Sequence, residues 1–120
     1  MASPPSEVLV ERIGTDAAVV GLVGEHDLST AGHVRECFSD LCNEGRAVVV
    51  DVTDTTFIDS AAIHVLLDGR AELTAGGGSL VLQIANTAIV CRALDVTGVL
   101  EHIPTATDRE GALALARSAG

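Results

Sequence analysis

The sequence predicts a single α/β domain built on a mixed, mostly parallel β-sheet, with the element order β-β-α-β-α-β-α-β-α. Three observations lead to this prediction. The 120 residues are 48% hydrophobic, with a mean hydropathy of +0.40, which is typical of one compact domain. Short runs rich in Val, Leu and Ile alternate with segments of helical periodicity, the pattern of a layered α/β fold. The aromatic residues are only Phe38 and Phe57, so aliphatic side chains must form the core.

The elements follow in order along the chain. Residues 1–7 are expected to form a flexible leader and residues 8–118 the domain. Gly14-Thr15-Asp16 between the first two strands suits a hairpin, because glycine and aspartate favour tight turns. The valines at 48–50 indicate a central strand covered on both faces. Strands are predicted at 8–13, 17–23, 47–52, 80–84 and 99–103, and helices at 29–44, 60–74, 87–97 and 107–118. The expected N-terminal caps are Ser29 or Thr30 for the first helix, Ser60 for the second, and Thr107 with Glu110 for the last.

The charge balance limits the classes of partner. The chain carries 17 acidic and seven basic residues, a formal net charge of −10, and all seven basic residues are arginine. A nucleic acid or an anionic membrane surface would repel such a chain. No apolar run approaches the roughly 20 residues that span a bilayer, and residues 1–11 lack the pattern of a signal peptide. We therefore expect a cytoplasmic protein that binds neither nucleic acid nor membrane.

Cysteine, histidine and serine motifs give no sign of catalysis. Cys37, Cys42 and Cys91 show no CxxC spacing, so neither a zinc site nor a disulfide framework is indicated and reduced thiols are expected. Cys37 and Cys42 fall on the apolar stripe of one predicted helix, where core packing is favoured over redox sensing. The four histidines are scattered and lack metal-ligand spacing, and most are expected to be exposed. Ser60 is not flanked by the glycines of a nucleophile elbow. The sequence therefore predicts no metal, no cofactor and no catalytic residue, and the protein is not expected to be an enzyme.

The segment 55–63 leaves a buried strand and enters a helix at Ser60. A hydroxyl at this position can bond free backbone N–H groups, and a phosphate there would be tolerated by the positive helix end. From the residues alone, a plain helix cap is the simpler interpretation of Ser60. A helical wheel places small and apolar side chains on the exposed start of this helix, which suits protein docking. This predicted patch consists of Ser60, Ala61, His64, Val65 and Asp68.

A second candidate is Asp27, at the end of the stretch Gly24-Glu25-His26-Asp27. The ends of parallel strands gather on one edge of a sheet, so Asp27 can lie near Asp59 and Ser60. Alternatively, Asp27 only caps the helix that begins near Ser29. The residues leave both interpretations open.

Three motifs in order give the chain a family resemblance. Gly24, Glu25 and Asp27 precede the first helix, Asp59-Ser60 precedes the second, and the segment 94–98 reads Leu-Asp-Val-Thr-Gly before Val-Leu. In these features the chain resembles, over nearly its whole length, a STAS domain of the bacterial anti-sigma factor antagonist type. The family usually has Ser or Thr and then Gly after the phosphoacceptor, where this chain has Ala61 and Ala62.

The resemblance implies a partner-switching mechanism. In such proteins the unphosphorylated antagonist binds an anti-sigma factor, usually a serine kinase of the histidine-kinase-like ATPase type, and so frees a sigma factor. Phosphorylation of the serine ends this binding, and a PP2C-type phosphatase restores it. By position, the resemblance makes Ser60 the phosphoacceptor and gives Asp27 and Asp59 a place on the surface that the partner contacts.

Two other interpretations use different residues. The chain can instead be a ligand-binding or redox-regulated STAS module of a larger signalling complex, with Cys37, Cys42 and Cys91 as the candidate redox residues. A receiver domain with Asp51 as phosphoacceptor is set aside, because that fold needs a lysine near its last strand and the chain contains none.

Overall fold

The computed structural model describes residues 6–84 and 88–118. It confirms an α/β domain with a mixed, mostly parallel sheet. Residues 1–5 of the predicted leader and the predicted helix start at residue 87 lie outside the described residues. The strands are β1 (Glu7–Ile13), β2 (Ala17–His26), β3 (Ala47–Asp51), β4 (Thr55–Ile58), β5 (Leu80–Gln83) and β6 (Thr105–Ala106), and the helices are α1 (Leu28–Asn43), α2 (Ser60–Ala75), α3 (Ala88–Val96), α4 (Val99–His102) and α5 (Arg109–Ser118).

The sheet runs in the order β1-β2-β3-β5-β6, and β4 pairs with the far end of β2. β1 and β2 form the predicted antiparallel hairpin, while the other neighbours are parallel. In the centre of the sheet, Val50 lies between Val20 and Leu82. The first half of β2 therefore belongs to the main sheet, and its second half belongs to the pair with β4.

The two faces of the sheet are covered by different helices. Val20, Val50 and Leu82 face a large core that includes buried side chains of α1, α2 and α3. Val19 and Val49 face the other way, toward α5. Val48, Val49 and Val50 are fully buried, as the continuous valine run predicts. None of the described helices is long and apolar enough to cross a membrane.

Helices α1 and α2 approach each other closely where Phe38 meets Gly69. Phe38 is only 1% exposed. A Cβ atom placed on Gly69 would lie 2.3 Å from Cδ2 of the Phe38 ring. The two helices can therefore pack at this separation only because residue 69 has no side chain.

The C-terminal part of the fold differs from the prediction. Residues 99–103 were expected to form a strand, but Val99–His102 is the short helix α4. Val99 and Ile103 are both buried, and their spacing of four residues places them on the same side of a helical turn. The last strand is the two-residue β6 instead. The helix α5 is preceded by Asp108, whose carboxylate accepts a hydrogen bond from the Gly111 N–H at 2.6 Å, so the predicted capping box that begins at Thr107 is wrong.

Candidate functional site

The pairing of β2 with β4 brings two acidic residues to one edge of the sheet. His26 lies opposite Ile58 in the parallel register, and the Asp59 N–H donates to the His26 carbonyl oxygen at 3.1 Å. Asp27 and Asp59 each follow directly on these strand ends. The strand β4, absent from the sequence prediction, is thus the element that places Asp27 beside the Asp59-Ser60 turn.

Asp27 is also the N-cap of α1. Its Oδ1 atom accepts hydrogen bonds from the Ser29 N–H at 2.9 Å and from the Ser29 hydroxyl at 2.5 Å. These bonds, that of the Ser29 hydroxyl first, lower the pKa of Asp27 because they stabilise its ionised form. The Asp27 N–H donates in turn to Thr30 Oγ1 at 3.3 Å, which completes a capping box. The expected cap at Ser29 or Thr30 is therefore wrong. Asp27 is the cap of α1, and it also follows the strand end that pairs with the strand leading to Asp59 and Ser60.

Asp59, and not Ser60, caps α2. The Asp59 carboxylate accepts a hydrogen bond from the Ala62 N–H at 3.0 Å. Ser60 is the first helical residue and is exposed. The simple interpretation of Ser60 as the helix cap is therefore wrong. The methyl group of Ala62 is buried in the core, so the backbone that follows Ser60 is held against the domain.

His26 is the buried residue beneath this edge, and its side chain is 0% exposed. Its Nε2 atom lies 3.0 Å from the Val23 carbonyl oxygen and its Nδ1 atom 3.1 Å from Thr30 Oγ1. A carbonyl can only accept, so Nε2 carries the hydrogen in this arrangement. His26 thus ties the end of β2 to the capping box of α1, a role that the sequence analysis missed because it treated the histidines as a group.

Two large apolar side chains are exposed at the same edge, and the sequence analysis missed both. Leu28, directly after Asp27, is 78% exposed, and Phe57, two residues before Asp59, is 46% exposed. Exposed apolar groups beside polar ones are typical of binding surfaces. We call Asp27, Leu28, Phe57, Asp59 and Ser60 the Ser60 surface.

Comparison with known proteins identifies the family. A model of the STAS domain family matches residues 8–112 of the chain. The chain belongs to the STAS domain family.

This STAS domain is similar to proteins named anti-sigma factor antagonists. It is 27% identical over 92 residues to the anti-sigma-B factor antagonist of Bacillus subtilis, across 77% of this chain and 84% of that protein. The fold is also that of an anti-sigma factor antagonist from Mycobacterium paratuberculosis, with a TM-score of 0.83 at 21% identity over 97% of this chain and 99% of the other. The phosphorylated form of the Bacillus cell fate determinant SpoIIAA gives a TM-score of 0.69 at 21% identity over 93% and 99% of the two chains.

The predicted docking patch of this STAS domain is only partly exposed. His64 and Asp68 are exposed and Ala61 is half-buried. Val65 is 1% exposed, so its place in the patch is wrong. The reason is the neighbouring helix: Asp68, on the same side of α2, pairs with Arg35 of α1 at 3.2 Å, so α1 covers the side that a single-helix wheel treats as open.

The three cysteines are half-buried. Burial raises the pKa of the Cys37 thiol, and Asp40 and Glu36 act in the same direction. The Cys42 thiol donates a weak hydrogen bond to the Glu72 carbonyl oxygen at 3.7 Å. A raised pKa leaves less thiolate at Cys37 and lowers its reactivity. Within the described part of the chain, no group of His, Cys, Asp and Glu side chains is arranged to hold a metal ion.

Proposed function

We propose that this STAS domain is an anti-sigma factor antagonist, whose Ser60 surface binds an anti-sigma factor and so frees a sigma factor. One observation carries the proposal: the Ser60 hydroxyl is exposed at the start of α2 and the cap is supplied by Asp59 instead. A kinase can therefore reach this hydroxyl, and its modification leaves the helix cap in place. The similarity to proteins named anti-sigma factor antagonists supports the same role.

The Ser60 surface has the composition of a protein interface. Leu28 and Phe57 offer exposed apolar area that a partner can bury, and buried aromatic and aliphatic anchors carry most of the binding energy in such interfaces. Asp27 and Asp59 lie beside them as acceptors for basic or N–H groups of the partner. The unphosphorylated surface thus combines an apolar centre with a negative rim.

Phosphorylation of Ser60 changes the charge of this surface and leaves the Asp59 cap of α2 in place. A phosphoserine adds about −1.5 to −2 charge at pH 7. Asp27 remains ionised there, because the Ser29 hydroxyl and N–H hold its pKa below the usual value. The added phosphate is repelled by the neighbouring carboxylates of Asp27 and Asp59, and burying this concentrated negative charge at the interface costs desolvation free energy. The partner is then released.

The partners follow from the mechanism. The anti-sigma factor is of the serine kinase type, so the protein that binds the Ser60 surface also modifies it. A PP2C-type phosphatase removes the phosphate and restores binding. The start of α2 stabilises the phosphorylated state of the free protein, because helix N-terminal N–H groups favour a negative charge.

Ser60 variants test the proposal. Wild type, Ser60→Ala and Ser60→Asp, immobilised as baits, are compared for binding an anti-sigma factor from a lysate of the source organism, and the recovered protein is then titrated in purified form. We expect wild type and Ser60→Ala to bind it with similar affinity and Ser60→Asp to bind at least about thirtyfold more weakly, because a negative charge added beside Asp27 and Asp59 at the interface costs about 2 kcal/mol or more.

Matched controls separate the switch from a general charge effect. Ser118→Asp makes the same substitution at an exposed position at the end of α5 and is expected to bind like wild type. Leu28→Ala and Phe57→Ala are each expected to weaken binding by about tenfold. Equal binding of one anti-sigma factor by wild type, Ser60→Ala and Ser60→Asp would contradict the phosphoswitch. Recovery of no anti-sigma factor by any of the three baits would contradict the antagonist role itself.

A further inference from the structure

Arg70 differs from the other arginines in its surroundings. Within the described residues, five of the seven arginines form ion pairs with carboxylates at 2.6 to 3.2 Å, namely Arg12, Arg35, Arg46, Arg109 and Arg117. A sixth, Arg92, is exposed to solvent. Arg70 forms neither an ion pair nor a hydrogen bond within residues 6–84 and 88–118, and it is half-buried on α2. In a chain with a formal net charge of −10, a half-buried cation with no counter-charge is unexpected, because burial of an unpaired charge costs free energy.

Arg70 borders an open groove between α2 and α4. The groove has a volume of about 580 Å³ and is lined by residues of α2 together with His102 of α4. Its apolar lining comes from Leu67, Ala71 and Ala75. We call Leu67, Arg70, Ala71, Thr74, Ala75 and His102 the Arg70 groove.

The Arg70 groove continues the exposed side of α2 that begins at Ser60. Successive residues of a helix turn by about 100°, so Leu67 and Ala71 lie within about 20° of Ser60 around the helix axis. A rise of about 1.5 Å per residue places Arg70 about 15 Å along that axis from Ser60. A partner that contacts Ser60 and lies along α2 therefore reaches the groove.

The carboxylates of α2 lie on its other side. Asp68 pairs with Arg35 of α1 at 3.2 Å, and Glu72 accepts a hydrogen bond from the Ser39 hydroxyl of α1 at 3.3 Å. The side toward α4 carries Arg70 and, among the residues of α2, no carboxylate. The exposed surface of α2 is thus divided into a side toward α1 that carries Asp68 and Glu72 and a side toward α4 whose charged residue is Arg70.

We propose that the Arg70 groove receives an acidic segment of the same protein partner that binds the Ser60 surface, an inference that rests on the proposed function. A carboxylate of this segment pairs with the Arg70 guanidinium, whose planar donor groups suit two-point binding of a carboxylate. The apolar residues next to that carboxylate cover Leu67 and Ala71.

This second contact fixes the orientation of the complex. The partner must place basic or N–H groups at Asp27 and Asp59 and an acidic group about 15 Å away at Arg70. Opposite charges at two separated points reject a reversed docking, because reversal brings like charges together at both ends. Partner choice is therefore set by the Arg70 groove, while phosphorylation acts at Ser60.

The test measures the affinity of the anti-sigma factor recovered with the Ser60→Ala bait. Arg70→Gln and Arg70→Glu are titrated beside Arg117→Gln and Arg117→Glu, which make the same charge changes on α5, on the opposite face of the sheet. We expect Arg70→Gln to weaken binding about tenfold and Arg70→Glu more, with both Arg117 variants within about threefold of wild type. Thermal unfolding of each free variant shows that it is folded.

The outcomes for Arg70 and Ser60 are distinguishable. If Ser60→Asp abolishes binding and Arg70→Glu binds like Arg117→Glu, the groove is not a contact and the proposed function stands. If Arg70→Glu weakens binding and Ser60→Asp does not, the groove is a contact and the phosphoswitch is rejected. The salt dependence is a further readout: Arg70→Gln must lower the slope of log Kd against log salt relative to wild type, and an unchanged slope would overturn the ion pair with a partner carboxylate.

Discussion

Substitution of Gly69 by alanine tests the packing that holds α1 against α2. The new Cβ atom would lie 2.3 Å from Cδ2 and 2.8 Å from Cε2 of Phe38, distances that non-bonded carbon atoms cannot adopt without displacement. Phe38 is 1% exposed and lies in the main core, so its ring cannot turn into solvent. The helices must therefore move apart or the ring must leave its preferred rotamer.

The expected loss of stability is the difference of two effects. Alanine favours a helix interior over glycine by about 1 kcal/mol. Overpacking of a filled core costs about 1 to 3 kcal/mol, and the upper end applies here because the contact must lengthen by roughly 1.2 to 1.7 Å to reach ordinary carbon separation. We therefore expect Gly69→Ala to lower the free energy of unfolding by about 2 kcal/mol, which lowers the Tm by about 5 to 10 °C in a domain of this size.

Urea and thermal denaturation of matched glycine variants provide the assay. Gly32 lies in α1, and a Cβ atom there would have no neighbour within 4 Å. Gly32→Ala should therefore gain up to about 1 kcal/mol from helix propensity alone. A Gly69→Ala protein as stable as wild type would refute the argument. Adding Phe38→Leu to Gly69→Ala should cost less than Phe38→Leu costs in wild type, because the two changes share one space.

Two further predictions concern capping and acid stability. Asp59→Ala should lower the free energy of unfolding by about 1 kcal/mol because it removes the cap of α2. Ser60→Ala should change it by less than about 0.5 kcal/mol. Equal losses of stability for the two variants in urea denaturation would show that Asp59 is not the effective cap. The guanidinium groups of Arg12 and Arg46 lower the pKa of Glu44 from its usual 4.5 to about 2, so the stability that ionised Glu44 contributes is complete above pH 4.5 and lost as the pH falls toward 2. Glu44→Gln should therefore show a smaller fall in Tm across this pH range than wild type. The exposed Glu36→Gln serves as the charge control. Parallel curves of Tm against pH for Glu44→Gln and wild type would show that Glu44 is not the group responsible.

The central elements could be predicted because their patterns are long. The run at Val48–Val50 is buried on both faces and reads as a central strand in any context. Helix α1 repeats buried positions at Val34, Phe38 and Leu41, the spacing of an amphipathic helix. A hydrophobic pattern that continues over many residues identifies its element even where single residues fit more than one structure. The hairpin, the strands β3 and β5 and the helices α1 and α2 were therefore all predicted close to their observed bounds.

The short elements could not be predicted in the same way. Strand β4 has four residues, of which Thr55 and Ile58 are buried and the two between them exposed, so it lacks the alternation that identifies a strand from sequence. The residues from Val99 to Ile103 fit a strand by β-propensity and a helical turn by spacing, and only the tertiary contacts decide. For the site, the sequence placed Asp27 near Ser60 by the general geometry of parallel sheets, but the exposure of Leu28 on α1 and of Phe57 on β4 depends on tertiary packing and was not predicted.

The brief ladder between β2 and β4 has a consequence for how such a surface can change over evolution. Its register shifts between Gly24 and Glu25, and only three residue pairs hold it. One residue inserted in the connection of residues 52–54 would place Phe57 at the buried position of Ile58, opposite His26, and would move Asp59 one position further from Asp27. The length of this connection therefore determines which side chains form the Ser60 surface. A change of one residue in this length would therefore alter the Ser60 surface even though every charged side chain is retained.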